Sequence, residues 1–216
     1  MAEATVNPYP LAEPGLWVER IGSKVFPVGT PALFLDRDGT INIDTDYPSD
    51  PAEIVLRDDI VPVVEAANRG GFPVVVVTNQ SGIARGYFGW SEFAAVNGRL
   101  LDLLCERGGF VDMVIACAYH DAGTGPLAVA NHLMRKPNPG MLLEAATRLD
   151  LDLGRSLIVG DKLADMEAGR RAGLSCGWLV DGDASEQAGF KVSPLRDRED
   201  LGGLLAAVET LGVKTR

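Results

Sequence analysis

Apolar positions in this chain fall into short unbroken runs, separated by stretches where they recur every three to four residues. Residues 32–35, Ala-Leu-Phe-Leu, form one run that ends in charge. Val74, Val75, Val76 and Val77 form another, β-branched throughout, as suits a strand covered on both faces. Runs at 111–117, 157–159 and 177–180 predict three further strands. Residues 60–69 predict a helix, with Pro62 tolerated in its first turn and Gly70-Gly71 stopping it. Ser91 is the expected N-cap of a helix whose apolar face is Phe93, Val96, Leu100 and Leu104. Residues 140–149 and 164–172 predict two shorter helices, while Leu201, Leu204, Leu205 and Val208 mark an amphipathic one near the C-terminus. Residues 118–134 show no clear period and read as a long loop.

Strands alternating with helices predict one doubly wound α/β domain over residues 31–216: a parallel sheet with helices on both faces. Residues 1–30 carry few periodic apolar positions and are crowded by Pro8, Pro10, Pro14 and Pro27, with Pro31 at the margin. They predict an irregular Pro-rich leader laid over the domain, with Trp17 as its anchor.

Composition adds exclusions. Of 216 residues, 46% are hydrophobic, enough for a substantial core and against global disorder. Thirty acidic residues against 20 basic leave a formal charge of -10. Such a surface repels phosphate backbones and anionic lipid, so neither nucleic acid nor membrane is an expected partner. A small anionic substrate in a locally basic pocket stays open. Cys105, Cys117 and Cys176 form no disulfide framework. The N-terminal residues lack a signal-like apolar stretch, and no apolar run reaches the ~18–20 residues of a membrane span. The expectation is a soluble cytoplasmic protein, monomeric or weakly homo-oligomeric.

Open α/β sheets bind ligands beyond the C-terminal ends of their strands. Three strand ends here are unusually polar: Asp36-Arg37-Asp38-Gly39-Thr40, Thr78-Asn79-Gln80-Ser81-Gly82, and Gly160-Asp161-Lys162 followed by Asp165. Two carboxylates at i and i+2 repel each other unless a cation neutralises them, and a third nearby suits Mg²⁺, which also grips phosphate. One such aspartate can attack phosphorus and another can serve the leaving oxygen and then water. Thr78 and the 79–82 turn offer a hydroxyl and backbone N–H groups, and Lys136 supplies a cation for the charge that spreads in phosphoryl transfer. Gly82 and Gly86 are too loose for a dinucleotide fingerprint, and no G-x-x-x-x-G-K-[ST] occurs.

Asp-Arg-Asp-Gly-Thr-Ile, Val-Val-Thr-Asn-Gln-Ser-Gly-Ile-Ala-Arg-Gly, Arg-Lys-Pro-Asn-Pro-Gly-Met and Gly-Asp-Lys-Leu-Ala-Asp-Met resemble the four motifs of the haloacid dehalogenase superfamily. The long second motif and the Arg-Lys-Pro-x-Pro-Gly third motif are similar to those of the group containing heptose 1,7-bisphosphate 7-phosphatases and histidinol phosphatases. The resemblance spans about residues 31–180. It implies that Asp36 is the nucleophile that becomes aspartyl-phosphate and Asp38 the general acid/base. It implies Mg²⁺ on the Asp36 carboxylate, the Asp38 backbone carbonyl and Asp161, with Asp165 behind them orienting Lys136 or a metal-bound water. Thr78 and Lys136 would hold the transferring group. Asp44, Thr45, Asp46, Tyr47, Asn79, Gln80, Ser81, Arg135 and Lys162 match substrate-contacting positions. The chain is too short between motifs for a large cap domain, so the site should be open enough for a sugar phosphate.

Many members of the group carry a zinc loop, Cys-x-His and later Cys-x-Cys directly before Arg-Lys-Pro. Here the matching positions hold Cys117, Tyr119, His132 and Met134, and Tyr119 and Met134 are poor partners for zinc. A shifted set with His120 would make an open site, so a structural zinc is not expected. The leading expectation is removal of the 7-phosphate of D-glycero-D-manno-heptose 1,7-bisphosphate, with histidinol phosphate as the alternative substrate. A non-catalytic phosphate-binding regulatory domain is the alternative of another class. A phosphomutase needs a cap to exclude water.

Overall fold

The structure, a computed structural model, describes residues 8–211. In chain order its strands are β1 (Leu11–Glu13), β2 (Leu16–Arg20), β3 (Leu33–Leu35), β4 (Val74–Asn79), β5 (Met113–Cys117), β6 (Leu157–Gly160), β7 (Cys176–Val180), β8 (Ser185–Gln187) and β9 (Phe190–Leu195). The helices are α1 (Val61–Gly70), α2 (Ser81–Ala84), α3 (Trp90–Glu106), α4 (Gly140–Leu149), α5 (Leu163–Ala172) and α6 (Arg198–Thr210). They build one sheet of order β1-β2-β5-β4-β3-β6-β7-β9-β8. From β5 to β9 every neighbouring pair is parallel. The outer pairs β1–β2, β2–β5 and β8–β9 are antiparallel.

The unbroken apolar runs become central strands because both faces are covered. Leu33 and Leu35 face one side with Val74 and Val76, where α1, α3 and α6 bring Val64, Phe93, Leu100 and Leu204. Phe34, Val75 and Val77 face the other, against Met141 and Leu142 of α4 and Met166 of α5. The four valines are fully buried, each contributing on the order of 1.5 kcal/mol or more by leaving water. This packing fixes the C-terminal ends of β3, β4 and β6 side by side.

Three expectations are corrected. Residues 11–20 are not an irregular leader. They form β1 and β2, and β2 pairs residue for residue with β5, from Leu16↔Cys117 to Arg20↔Met113. Trp17 is buried among Tyr9, Trp90 and Phe93, as its anchoring role requires. Residues 1–7 lie outside the described part. The cap of α3 is Gly89 and not Ser91: the Glu92 carboxylate accepts from the Gly89 N–H at 2.9 Å. Residues 185–195, given no element from sequence, add β8 and β9, so the sheet is parallel only in its interior.

Between β3 and α1, and between β5 and α4, the described chain forms nothing longer than a three-residue 3-10 turn, Pro51–Glu53 and Gly125–Leu127 respectively. The described residues form no large cap domain over the strand ends. No helix among the described residues is long and apolar enough to cross a membrane.

Candidate active site

β3 ends by delivering Asp36, and the turn after it carries Asp38. β4 closes on Thr78 and Asn79, and β6 hands over to Asp161, Lys162 and, in the first turn of α5, Asp165. The segment before α4 contributes Arg135 and Lys136. A cavity of about 400 Å³ lies over these ends. It is bordered by Asp36, Asp38, Asp44, Asp46, Tyr47, Thr78, Asn79, Gln80, Ser81, Arg135, Lys136, Lys162 and Asp165. Thr45 alone of the expected substrate contacts is exposed outside that wall. Asp161 adjoins two of these residues: carboxylate oxygens of Asp36, Asp161 and Asp165 all lie within 4.8 Å of one another.

Lys136 is the electrostatic centre. Its Nζ lies 2.8 Å from Asp36 Oδ1 and 2.5 Å from Asp165 Oδ1, and donates to the Val77 carbonyl at 2.7 Å. Burial alone would lower its pKa, but Asp165 and Asp36 together raise it, so it is a fixed cation. Asp36 Oδ1 also accepts from the Arg37 N–H at 2.8 Å. Both contacts use Oδ1 and leave Oδ2 clear of them. Burial, and then the like charge of Asp36, push the Asp165 carboxyl up against the pull of Lys136.

Asp38 is held differently. Arg37, fully buried, forks onto it through Nε at 3.0 Å and a terminal nitrogen at 2.8 Å. Asn42 and Gln80 donate at 3.2 and 2.9 Å. Burial pushes the carboxyl up, but the Arg37 charge and these hydrogen bonds overcome it and hold it below the usual range. Asp38 is therefore ionised near neutral pH. The turn that aims it requires Gly39, whose φ is +80° and where a Cβ would stand 2.5 Å from Asp161 Oδ2.

Two side chains expected on substrate are spent inside the site. Asn79 clamps the Lys136 backbone, donating to its carbonyl at 3.0 Å and accepting from its N–H at 3.1 Å. Gln80, buried, ties Asp38 to the Thr78 hydroxyl. Neighbouring Asp46 and Tyr47 both have left-handed backbones, φ +57° and +60°. Arg85 and His120 were missed as pocket residues, yet both border the cavity, with a ring nitrogen of His120 3.2 Å from the Arg85 guanidinium. The signal for Arg85 was its place in the second motif, three residues after Gly82 on the same short turn. From sequence, His120 figures only in a shifted zinc set that is not expected; burial and then Arg135 lower its pKa.

The donor set fits a divalent cation. Lys136 and the exposed Lys162, whose Nζ lies 3.3 Å from Asp161 Oδ2, offset only two of the three carboxylates Asp36, Asp161 and Asp165, and Asp161 Oδ1 is buried without a hydrogen-bond partner. Burial, with Asp36 beside it, pushes the Asp161 carboxyl up to about 6. An oxygen-only cluster carrying this uncompensated charge suits Mg²⁺. At the former zinc-loop positions, Tyr119 and His132 stack ring on ring at 4.0 Å, and burial pushes the Cys117 thiol up to about 11.

The chain resembles known proteins along its whole length. Residues 133–195 match the HAD-hydrolase-like family profile. A D-glycero-beta-D-manno-heptose-1,7-bisphosphate 7-phosphatase of Mesorhizobium japonicum is 72% identical over 216 residues, all of both chains. An alpha-anomer counterpart from Burkholderia mallei is 41% identical, covering 79% of this chain and 90% of its own. Among solved structures, a HAD-like phosphatase from Mesorhizobium loti superposes with a TM-score of 0.94 at 73% identity, over 97% of this chain and 100% of its own. The D,D-heptose 1,7-bisphosphate phosphatase of B. bronchiseptica, complexed with magnesium and phosphate, gives 0.66 at 31% identity, over 82% of this chain and 96% of its own. The chain belongs to the haloacid dehalogenase-like phosphatases, in the group that contains the heptose bisphosphate phosphatases.

Proposed function

We propose that this phosphatase removes the 7-phosphate of D-glycero-D-manno-heptose 1,7-bisphosphate through a covalent aspartyl-phosphate. The observation that carries the substrate reading is a cavity with phosphoryl-transfer groups at its floor and two guanidinium groups, Arg85 and Arg135, on its wall. A bisphosphate needs both, because a guanidinium forks onto phosphate oxygens. Histidinol phosphate would instead bring an ammonium against those cations. The names of the closely similar relatives support the same reading.

Asp36 Oδ2 attacks phosphorus, the ester P–O bond breaks, and the leaving alkoxide takes its proton from Asp38. Water then attacks the acyl-phosphate and gives a proton to Asp38, which releases inorganic phosphate and restores Asp36. Thr78 and Lys136 hold the transferring oxygens, as charge spreads over them. Mg²⁺ would be held by Asp36, Asp161 and the Asp38 backbone carbonyl, where it supplies charge neutralisation between phosphate and carboxylates. Because Asp38 rests ionised, it must be protonated against Arg37 before the first step.

Steady-state kinetics on both anomers of the bisphosphate, histidinol phosphate and p-nitrophenyl phosphate test the reading. Two charge-assisted contacts predict a preference of about 10²-fold or more in kcat/KM for the bisphosphate. Equal turnover of all four substrates would overturn it.

A further inference from the structure

The hairpin of β1 and β2 also meets the loop that leads to Arg135. Glu13 Oε2 accepts from the Tyr119 hydroxyl at 3.0 Å and lies 3.7 Å from His132 Nε2. The Gly15 carbonyl accepts from the Ala118 N–H at 2.8 Å. Gly15 packs so closely on the Tyr119 ring that a Cβ there would stand 2.8 Å from its Cε1 and Cζ. Tyr119 and His132 in turn stack on each other across the loop. Both then reach Arg135. The Tyr119 carbonyl accepts from the Arg135 guanidinium at 3.2 Å, and the His132 carbonyl from the Arg135 N–H at 2.9 Å.

We infer that residues 13–15 are a positioning element for Arg135: the hairpin clamps Tyr119 and His132, and these hold the guanidinium toward the cavity. The inference rests on the reading of Arg135 as a ligand for the second phosphate. A long side chain that is already ordered loses less freedom when substrate arrives. Selectivity for a bisphosphate is thereby set partly by residues that never touch it. Of the groups at Asp36, Lys136 follows Arg135 in the chain, but Asn79 holds its backbone independently of the clamp.

Glu13→Ala, Glu13→Gln and Gly15→Ala, assayed on the bisphosphate and on p-nitrophenyl phosphate, test this. Ordering one long side chain is worth about three- to tenfold. Glu13→Ala should raise KM for the bisphosphate by that factor with kcat within about twofold, since binding and not chemistry changes. Gly15→Ala, which displaces the ring, should do at least as much. Glu13→Gln should rescue, because its amide oxygen still accepts from Tyr119. Kinetics on the aryl phosphate should stay unchanged, and amide exchange over residues 118–135 should quicken in both alanine variants. An unchanged KM, or an equal loss on both substrates, would overturn the clamp. Should wild-type protein show no preference for the bisphosphate, the proposed substrate fails. Amide exchange then decides the clamp alone, and unaltered rates overturn it.

Discussion

Replacing Arg37 with methionine keeps most of the side chain's volume and removes its charge. Arg37 is wholly buried, forks onto Asp38 at 3.0 and 2.8 Å, and sits 5.2 Å over the Phe93 ring. Removing one partner of a buried ion pair costs about 3–5 kcal/mol, because the other charge is left behind. Two details pull the figure to the lower end. Gln80 and Asn42 still donate to Asp38, and one terminal nitrogen of Arg37 is already buried without a partner, so its loss returns a desolvation penalty. The expected loss is about 3 kcal/mol near neutral pH.

Its pH dependence is the sharper signature. In the wild type the Asp38 carboxyl is depressed, so its contribution is complete above the usual carboxylate range and fades only as pH falls through the lowered value. Without Arg37, burial dominates and the carboxyl rises. The variant's penalty is then largest near about pH 7.5 and shrinks toward about pH 5 as Asp38 protonates. Urea denaturation of wild type, Arg37→Met, Asp38→Asn and the double variant at both pH values measures this. The double variant should be more stable than the sum of the singles by about 1 kcal/mol or more. A loss below about 1 kcal/mol, or one equal at both pH values, would refute the pairing argument.

Other outcomes follow from the same geometry. Asp38→Asn should slow phosphoryl transfer from a sugar phosphate by about 10²–10⁴ but spare the p-nitrophenolate burst, whose leaving group departs without a proton, while hydrolysis of the aspartyl-phosphate slows for both; equal losses in the first step would remove Asp38 as the acid. Asp161, its carboxyl held near 6, charges only above that pH. Metal-free protein should therefore melt higher as pH falls from neutral through that value, and saturating Mg²⁺ should abolish the trend, as scanning calorimetry would show. Gly39→Ala, strained by its φ of +80° and crowding Asp161, should raise the Mg²⁺ concentration for half-activity by about tenfold or more, and an unchanged titration would contradict the close approach.

The interior of the fold was legible because its strands and helices carry local signals. Val74 to Val77 can be buried only in a sheet covered twice, and the Phe93, Val96, Leu100, Leu104 spacing needs no knowledge of neighbours. β1 and β2 were hidden for the opposite reason. Pro10 and Pro14 read as breakers, and Leu16-Trp17-Val18 shows no alternation because all three are buried. Their stabilising partner, β5, lies about a hundred residues away and leaves no mark on the local pattern. β9 is as long as β4 but contains Pro194, which reads as a breaker. In the site, residue types identified Asp36, Asp161, Lys136 and Asp165 as neighbours. They did not reveal that Asn79 and Gln80 serve other protein groups, since an amide looks the same whether it faces a ligand or a backbone. Arg37 received no role from sequence, since its type and place in the motif do not reveal that it is fully buried and paired with Asp38.

Both margins of the sheet are three-residue strands, β1 at one side and β8 at the other. β1 offers exposed Ala12 and Glu13, and Ser185, Glu186 and Gln187 of β8 are all exposed. A short polar margin gives a second chain little to pair with, while the apolar β2 behind β1 would be an inviting template for aggregation. Glu13 thus belongs both to the clamp proposed for Arg135 and to the polar margin that discourages edge-to-edge pairing.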